Sequence, residues 1–279
     1  MTPTWESPCG TVQLYLGDCL DVLPHVRADC VVTDPPYAIP AAHYVGKRGE
    51  ATPRRNLAEL SIVEHWFRSV CEYLPDGAAY VFCDGQSYPI FFRSCYNRWK
   101  HVRPIVWDKM VSYNGYTWRH QHELIAWCES AGCDRIPTGD GDIIRCRAVP
   151  VDVRSHPAEK PVELIEKLLA KTKGVVLDPF MGSGPTIEAA IRLGRNAVGI
   201  ELDERYFWDL CVPRAQRALA ERAEQLPFPP TAPTGTGDRD GETAEGQAPH
   251  AKESACLDGQ VLEGLGHRGR PRQGRCSPL

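Results

Sequence analysis

The chain has 279 residues, 42% of them hydrophobic, with 32 basic against 36 acidic side chains and a formal net charge of −4. This suits one large domain, or one domain with a tail, and allows a full apolar core. The charge does not suggest a general polyanion binder but leaves room for a local basic face, and no apolar run is long enough to cross a bilayer.

In chain order, residues 11–16 read as a short strand ending at Gly17-Asp18. Residues 29–33 form an apolar strand that runs into Asp34-Pro35-Pro36-Tyr37. Residues 38–56 are irregular and carry Lys47, Arg48, Arg54 and Arg55. Ser61 caps a helix in which Val63, Trp66, Phe67, Val70 and Leu74 recur with helical period, ended by the turn Pro75-Asp76-Gly77. Residues 78–83 are a strand, 87–99 a helix, and 102–107 and 123–128 two more strands. Residues 111–120 and 130–141 are irregular. The basic cluster Arg93, Arg98, Lys100, His101 and Arg103 reads equally well as solvated surface. A strong helix over 161–173 has Pro161 in its first turn and Gly174 beyond its end. A strand over 174–178 enters the turn Pro179-Phe180-Met181-Gly182-Ser183-Gly184. A helix over 185–193 is closed by Gly194. Residues 196–202 form the last strand and 203–225 the last helix. From 227 to 279 the composition shifts to Pro, Gly, Thr, Arg and acidic residues. Such a segment cannot bury enough apolar surface to offset chain entropy, so a disordered tail is expected after a domain of residues 1–226.

Strands alternating with helices predict an α/β fold, a mostly parallel sheet covered by helices on both faces. Ligands in such folds lie outside the carboxyl ends of the strands, and Asp18, Asp34, Asp178 and Glu201 all fall at such ends. The 12 cysteines are scattered, several in apolar segments (Cys30, Cys71, Cys83, Cys128), without a Cys-x-x-Cys pair. They read as reduced core thiols, and no metal site is expected. The opening Met1-Thr2-Pro3-Thr4-Trp5-Glu6 lacks the basic and apolar regions of a signal peptide, so a cytoplasmic location is expected.

Two runs carry chemistry. Gly182 and Gly184 let the backbone turn tightly and approach a ligand, and the helix from Pro185 directs N–H groups at it. Asp178 is placed to accept from a ligand ammonium, and Glu201, at the next strand end, to hold two ribose hydroxyls. The turn lacks the third glycine of the dinucleotide fingerprint and is preceded by an aspartate, which disfavours NAD and suits S-adenosylmethionine. The other run suits a nucleobase amine, a poor nucleophile because its lone pair is delocalised into the ring. A carboxylate (Asp34) and a backbone carbonyl (Pro35) can each accept one of its N–H bonds and aim the lone pair at a methyl donor. Pro35 and Pro36 stiffen the segment, and Tyr37 offers a flat face to an extruded base. The plain alternative for this run is a strand-terminating turn. Lys47, Arg48, Arg54 and Arg55 border it and suit phosphate contact. Cys9 invites comparison with the nucleophile of ring-carbon methylating enzymes, but it has no supporting acid and reads as an ordinary thiol.

Seven runs occur in one order: Leu16-Gly17-Asp18-Cys19-Leu20, Thr33-Asp34-Pro35-Pro36-Tyr37, Val106-Trp107-Asp108-Lys109, His122-Glu123-Leu124-Ile125, His156-Pro157-Ala158-Glu159-Lys160-Pro161, Asp178 to Gly184, and Gly199-Ile200-Glu201. In this the chain resembles the S-adenosylmethionine-dependent DNA amino-methyltransferases acting on adenine N6 or cytosine N4, in their permuted, beta-type order. The resemblance implies a Rossmann-like methyltransferase fold. It implies cofactor contacts by Asp18 and Cys19 at the adenine end, by His156 and Lys160 at the methionine end, by Phe180, Gly182, Ser183 and Gly184, and by Asp178 and Glu201. It gives the target base to Asp34, Pro35, Pro36 and Tyr37. The implied partner is double-stranded DNA, with a homodimer and a cognate restriction nuclease as further candidates and no membrane. The chain departs from the family at Pro185, where threonine is usual, and in a short recognition segment, for which 38–56 and 111–141 are the candidates. The aspartate form of the run favours adenine N6, with cytosine N4 as the alternative. Methylation of a protein glutamine and non-catalytic DNA binding are weaker readings.

Overall fold

The computed structural model describes residues 1–36, 60–73, 77–85, 87–95, 99, 101–111, 117–134, 136–150, 152–155 and 158–225. The expected tail over 227–279, the basic loop 38–56 and the side chains of Tyr37 and His156 lie outside the described residues.

Among the described residues nine strands form one sheet: β1 (Trp5–Glu6), β2 (Val12–Leu16), β3 (Cys30–Thr33), β4 (Ala78–Cys83), β5 (His101–Asp108), β6 (His122–Glu129), β7 (Ile143–Arg145), β8 (Val176–Asp178) and β9 (Ala197–Glu201), in the spatial order 1-2-9-8-3-4-6-5-7. Strands β2, β9, β8, β3 and β4 run parallel to one another, while β1 and β6 are antiparallel to their neighbours. Because β6 reverses between β4 and β5, its first residues share a sheet edge with the last residues of β4 and β5.

The helices are α1 (Cys19–Val22), α2 (Leu60–Tyr73), α3 (Tyr88–Cys95), α4 (Val162–Leu169), α5 (Pro185–Arg192) and α6 (Val212–Gln225). Alternate residues of a strand face opposite sides, and β3 shows how this makes two cores. Cys30 and Val32 pack with Leu164 and Ile165 of α4, Ile187 of α5 and Ala215 of α6. Val31 packs with Val22 of α1, Trp66 and Phe67 of α2 and Phe91 of α3. The connection β8–α5–β9 leads one way along the sheet and β3–α2–β4 the other. The gap between β8 and β3 is therefore the switch point at which α/β sheets form crevices.

Several expected elements change length. The helix expected over 161–173 ends at Leu169. Arg195 crosses to its carboxyl end, where its guanidinium donates to the carbonyls of Leu169, Thr172, Lys173 and Gly174 at 2.6–3.3 Å. Those carbonyls have left the helical ladder and are satisfied by one side chain. The helix expected over 203–225 begins with a wide π-type stretch at Tyr206–Cys211 before α6. The candidate recognition region 111–141 contains β6, which matches the strand expected over 123–128 and extends it by one residue at each end. The edge strands β1 and β7 and the one-turn α1 were not expected.

Candidate active site

Four parallel neighbours, β2, β9, β8 and β3, bring Asp18, Glu201, Asp178 and Asp34 to one edge of the sheet in that order. The two distant runs meet across the switch point. Thr33 Oγ1 donates to Asp178 Oδ1 at 2.7 Å, and Thr186 Oγ1 donates to the Val32 carbonyl at 3.4 Å. Asp34, Lys160, Asp178, Phe180, Gly182 and Ser183 line a single solvent-open cleft, together with Phe82, Glu159 and Pro185.

The glycine turn is pinned from three sides. Gly182 has φ +55° and Gly184 φ +80°, the left-handed region that glycine reaches without strain. A Cβ on Gly182 would meet nothing within 4 Å, so the backbone there faces open space. Glu201 Oε2 accepts from the Gly182 N–H at 2.8 Å, and Oε1 accepts from the Asp203 N–H at 2.8 Å. Burial holds the Glu201 carboxyl above its ordinary value, against those two N–H groups. From behind, Arg214 of α6 donates to the Ser183 carbonyl at 3.0 Å and its Oγ at 3.1 Å, pairs with Glu188 Oε2 at 3.0 Å, and reaches Glu159. The Glu159 carboxyl is opposed by burial, but Arg214 and Ser155 hold it below the usual value. Met181 anchors the turn to β9 by donating its N–H to the Ile200 carbonyl at 3.0 Å. Asp178 is 2% exposed and also accepts from the Phe180 N–H at 3.1 Å. Burial pushes its carboxyl up to about 7, against the hydrogen bonds from Thr33, Thr186 and Phe180. The Phe180 ring stands 4.8 Å from Trp66, edge to face, which fixes the ring's back at the cleft wall.

Opposite the turn, Asp34 follows β3 with its side chain 22% exposed. Its Oδ2 accepts from Lys160 Nζ at 2.6 Å. Lys160, 5% exposed, also lies 3.0 Å from Glu123 Oε1 and 5.1 Å from the centre of the Phe82 ring. Glu123 Oε2 in turn pairs with Lys109 Nζ at 2.7 Å. Burial works against the Lys160 charge, yet Asp34 and Glu123 together hold its ammonium above the ordinary lysine value. Lys160 thus lines the cleft and is bound to the amine-holding aspartate of the sequence reading. Glu123 and Lys109 fell within the motif runs but received no role there. Their meeting follows from the β5–β6 register, which pairs Trp107 with Glu123 and so sets Lys109 beside it.

Of the other expected residues, Pro35 and Pro36 continue from Asp34, Pro35 buried. Asp18 is exposed, and its carboxylate accepts from the Leu20 N–H at 2.9 Å, so it caps α1. Cys19 turns its thiol into the core, where burial and Asp18 push it up to about 12. Lys47, Arg48, Arg54, Arg55, Tyr37 and His156 lie outside the described residues.

Comparison with known proteins agrees with this architecture. The chain belongs to the DNA methylase family, whose N6/N4 methylase model matches residues 28–209. It is 27% identical over 243 residues to the type II methyltransferase M2.MboI of Moraxella bovis, spanning 74% of this chain and 88% of that protein. A putative DNA modification methylase of Thermus thermophilus, TTHA0409, solved with S-adenosyl-L-methionine, is 25% identical with a TM-score of 0.52, covering 74% of this chain and 95% of that one. The cytosine-N4-specific PvuII DNA methyltransferase shares the fold at 15% identity, with a TM-score of 0.56 over 78% of this chain and 95% of that one. The fold is therefore a Rossmann-like methyltransferase fold. The run 16–20 lies upstream of the matched stretch. Among the described residues, no helix is long and apolar enough to cross a membrane.

Proposed function

We propose that this DNA methylase moves a methyl group from S-adenosylmethionine to the exocyclic N6 of an adenine extruded from DNA. The observation that carries the reading is that Asp34 and the Phe180–Ser183 part of the glycine turn line one cleft at the β3–β8 switch point. The donor set suits the cofactor. Asp178 is placed for an ammonium, Phe180 gives an apolar wall, and the space beside Gly182 accepts a ligand against main chain. Each Glu201 oxygen already takes one N–H and keeps a second lone pair for a ribose hydroxyl. When bound, S-adenosylmethionine supplies an electrophilic methyl on sulfur.

The protein's part is orientation and electrostatics. Asp34 and the Pro35 carbonyl accept from the amine and aim its lone pair, and the Asp34 charge stabilises the positive charge that grows on nitrogen during transfer. As the carbon–sulfur bond breaks its electron pair stays on sulfur, and nitrogen, having formed the new bond to carbon, passes one proton to water to leave a neutral product. Tyr37, by its place in the motif, stacks on the base. Asp18 and Cys19 are proposed for the adenine end of the cofactor, and His156 and Lys160 for its methionine end. DNA would be held by Lys47, Arg48, Arg54 and Arg55, and by the exposed run Trp118, Arg119, His120 and His122 beside Glu123. Adenine is preferred because residue 34 is aspartate. Cytosine N4 is the second reading, since the same acceptors serve either amine. A homodimer, a cognate restriction nuclease, a cytoplasmic location and a separate tail after residue 226 remain part of the proposal. The test is expression in a methylation-free host followed by nucleoside mass spectrometry of its DNA. N6-methyladenine is expected, and N4-methylcytosine without it would move the assignment to cytosine.

A further inference from the structure

We propose that Glu123 is a positioning residue for Asp34, acting through Lys160; the inference rests on the reading that Asp34 holds the target amine. Four side chains of alternating charge run inward from the β5–β6 hairpin: Lys109, Glu123, Lys160 and Asp34, with successive contacts of 2.7, 3.0 and 2.6 Å. They come from four separate places, the residue after β5, the start of β6, the segment before α4 and the segment after β3. Only Glu123 stands on a paired strand, and Lys109 directly follows its neighbour β5. The backbone fixes them there, with Lys109 N–H donating to the Gln121 carbonyl at 2.9 Å. Asp34 and Lys160 lie in irregular chain, so their geometry has to be set by side-chain contacts. Glu123 supplies the fixed end.

The charge argument points the same way. Lys160 is nearly buried, and Glu123 has a side chain 10% exposed. A buried ammonium with one carboxylate partner would pair wholly with it and draw density from the oxygens meant for the amine. Shared between Glu123 and Asp34, it fixes Asp34 Oδ2 and so the plane of the carboxylate, while leaving Asp34 a stronger acceptor. Glu123 does not line the cleft. Its effect on ligands is therefore indirect, which separates it from Lys160 and Asp34.

The experiment compares wild type, Glu123→Gln and Glu123→Asp by steady-state kinetics across pH, with S-adenosylmethionine binding measured by calorimetry. For Glu123→Gln, kcat should fall about 10- to 100-fold, the scale expected for a misdirected group. KM for DNA and the cofactor Kd should each stay within about twofold, since uniform binding is not what is lost. The acid limb of kcat, read at saturating S-adenosylmethionine so that the Asp178 dependence of cofactor binding drops out, should move to lower pH, because a negative neighbour is gone and the ammonium turns fully to Asp34. Glu123→Asp should recover part of kcat and return the limb toward wild type. An unchanged kcat and acid limb in Glu123→Gln would overturn the proposal. So would loss of cofactor binding and folding together, unrescued by Glu123→Asp, which would make Glu123 structural. Asp34→Ala separates the underlying reading: full activity in that variant sinks the role of Asp34 itself, whatever Glu123 does.

Discussion

On the β8–β9 side of the cleft the ligand-facing surface is main chain: a turn with two left-handed glycines, held by Glu201 in front and Arg214 behind. On the β3 side it is charge, with Asp34 and Lys160 steadied by Glu123 and Lys109. Main chain suits a ligand that must be gripped the same way in every turnover, because it has no rotamers to lose. Charge suits the step in which charge develops. The two sides should therefore fail differently, one through affinity and folding, the other through kcat.

The largest expected effect is on the charged side. Asp34→Ala should lower kcat by about a thousandfold or more, the scale of losing a preorganised electrostatic group, while the cofactor Kd stays within about twofold. Radiolabelled methyl transfer and calorimetry check the two halves, and a parallel loss of affinity would blur the contrast between the sides. The next effect is on the main-chain side. Arg214→Met removes one partner from each of two carboxylates, Glu159 and Glu188, whose side chains are only 6% and 9% exposed, and leaves Glu159 its bonds from Ser155 and Glu188 its pair with Arg192. The expected cost is about 2 kcal/mol, the scale of a lost hydrogen bond to a charged group. At roughly 2–4 °C per kcal/mol for a domain of this size, calorimetry should show a Tm fall of about 4–8 °C, with weaker cofactor binding.

The smallest effect is a pH dependence. The Asp178 carboxyl lies at about 7 in the folded protein. A ligand ammonium needs the ionised form, so cofactor affinity should rise between about pH 6 and about pH 8, and Asp178→Asn should bind more weakly with a flat profile. The stability contribution has the opposite sense. The raised pKa favours folding fully below the unfolded value near 4, and this contribution is lost as pH rises through about 7. Denaturant titrations at several pH values measure it.

The main-chain side was legible in the sequence because its signal is local. Asp178 to Gly184 is one contiguous run, and Glu201 ends the next strand. The strand at Ala78–Cys83 was read to the residue, since an apolar stretch between two turns leaves little choice. The shortening of α4 was not legible, because it depends on Arg195, which folds back from beyond β8 to satisfy the helix end. Strands β1 and β7 have two and three residues, too few for a periodic signal. Glu123 was passed over for a related reason. As the second residue of an ordinary strand it carries no mark of function, and only the antiparallel register that sets it beside Lys109, with the return of the chain at Lys160, gives it one.

The account turns on the amine holder and the methyl donor facing each other across the β3–β8 gap. A crystal structure with S-adenosylhomocysteine bound measures this most directly. The account predicts the sulfur between the Phe180 ring and the Asp34 carboxylate, with the ribose at Glu201. A sulfur on the far side of Phe180 from Asp34, with no open path between them, would contradict it.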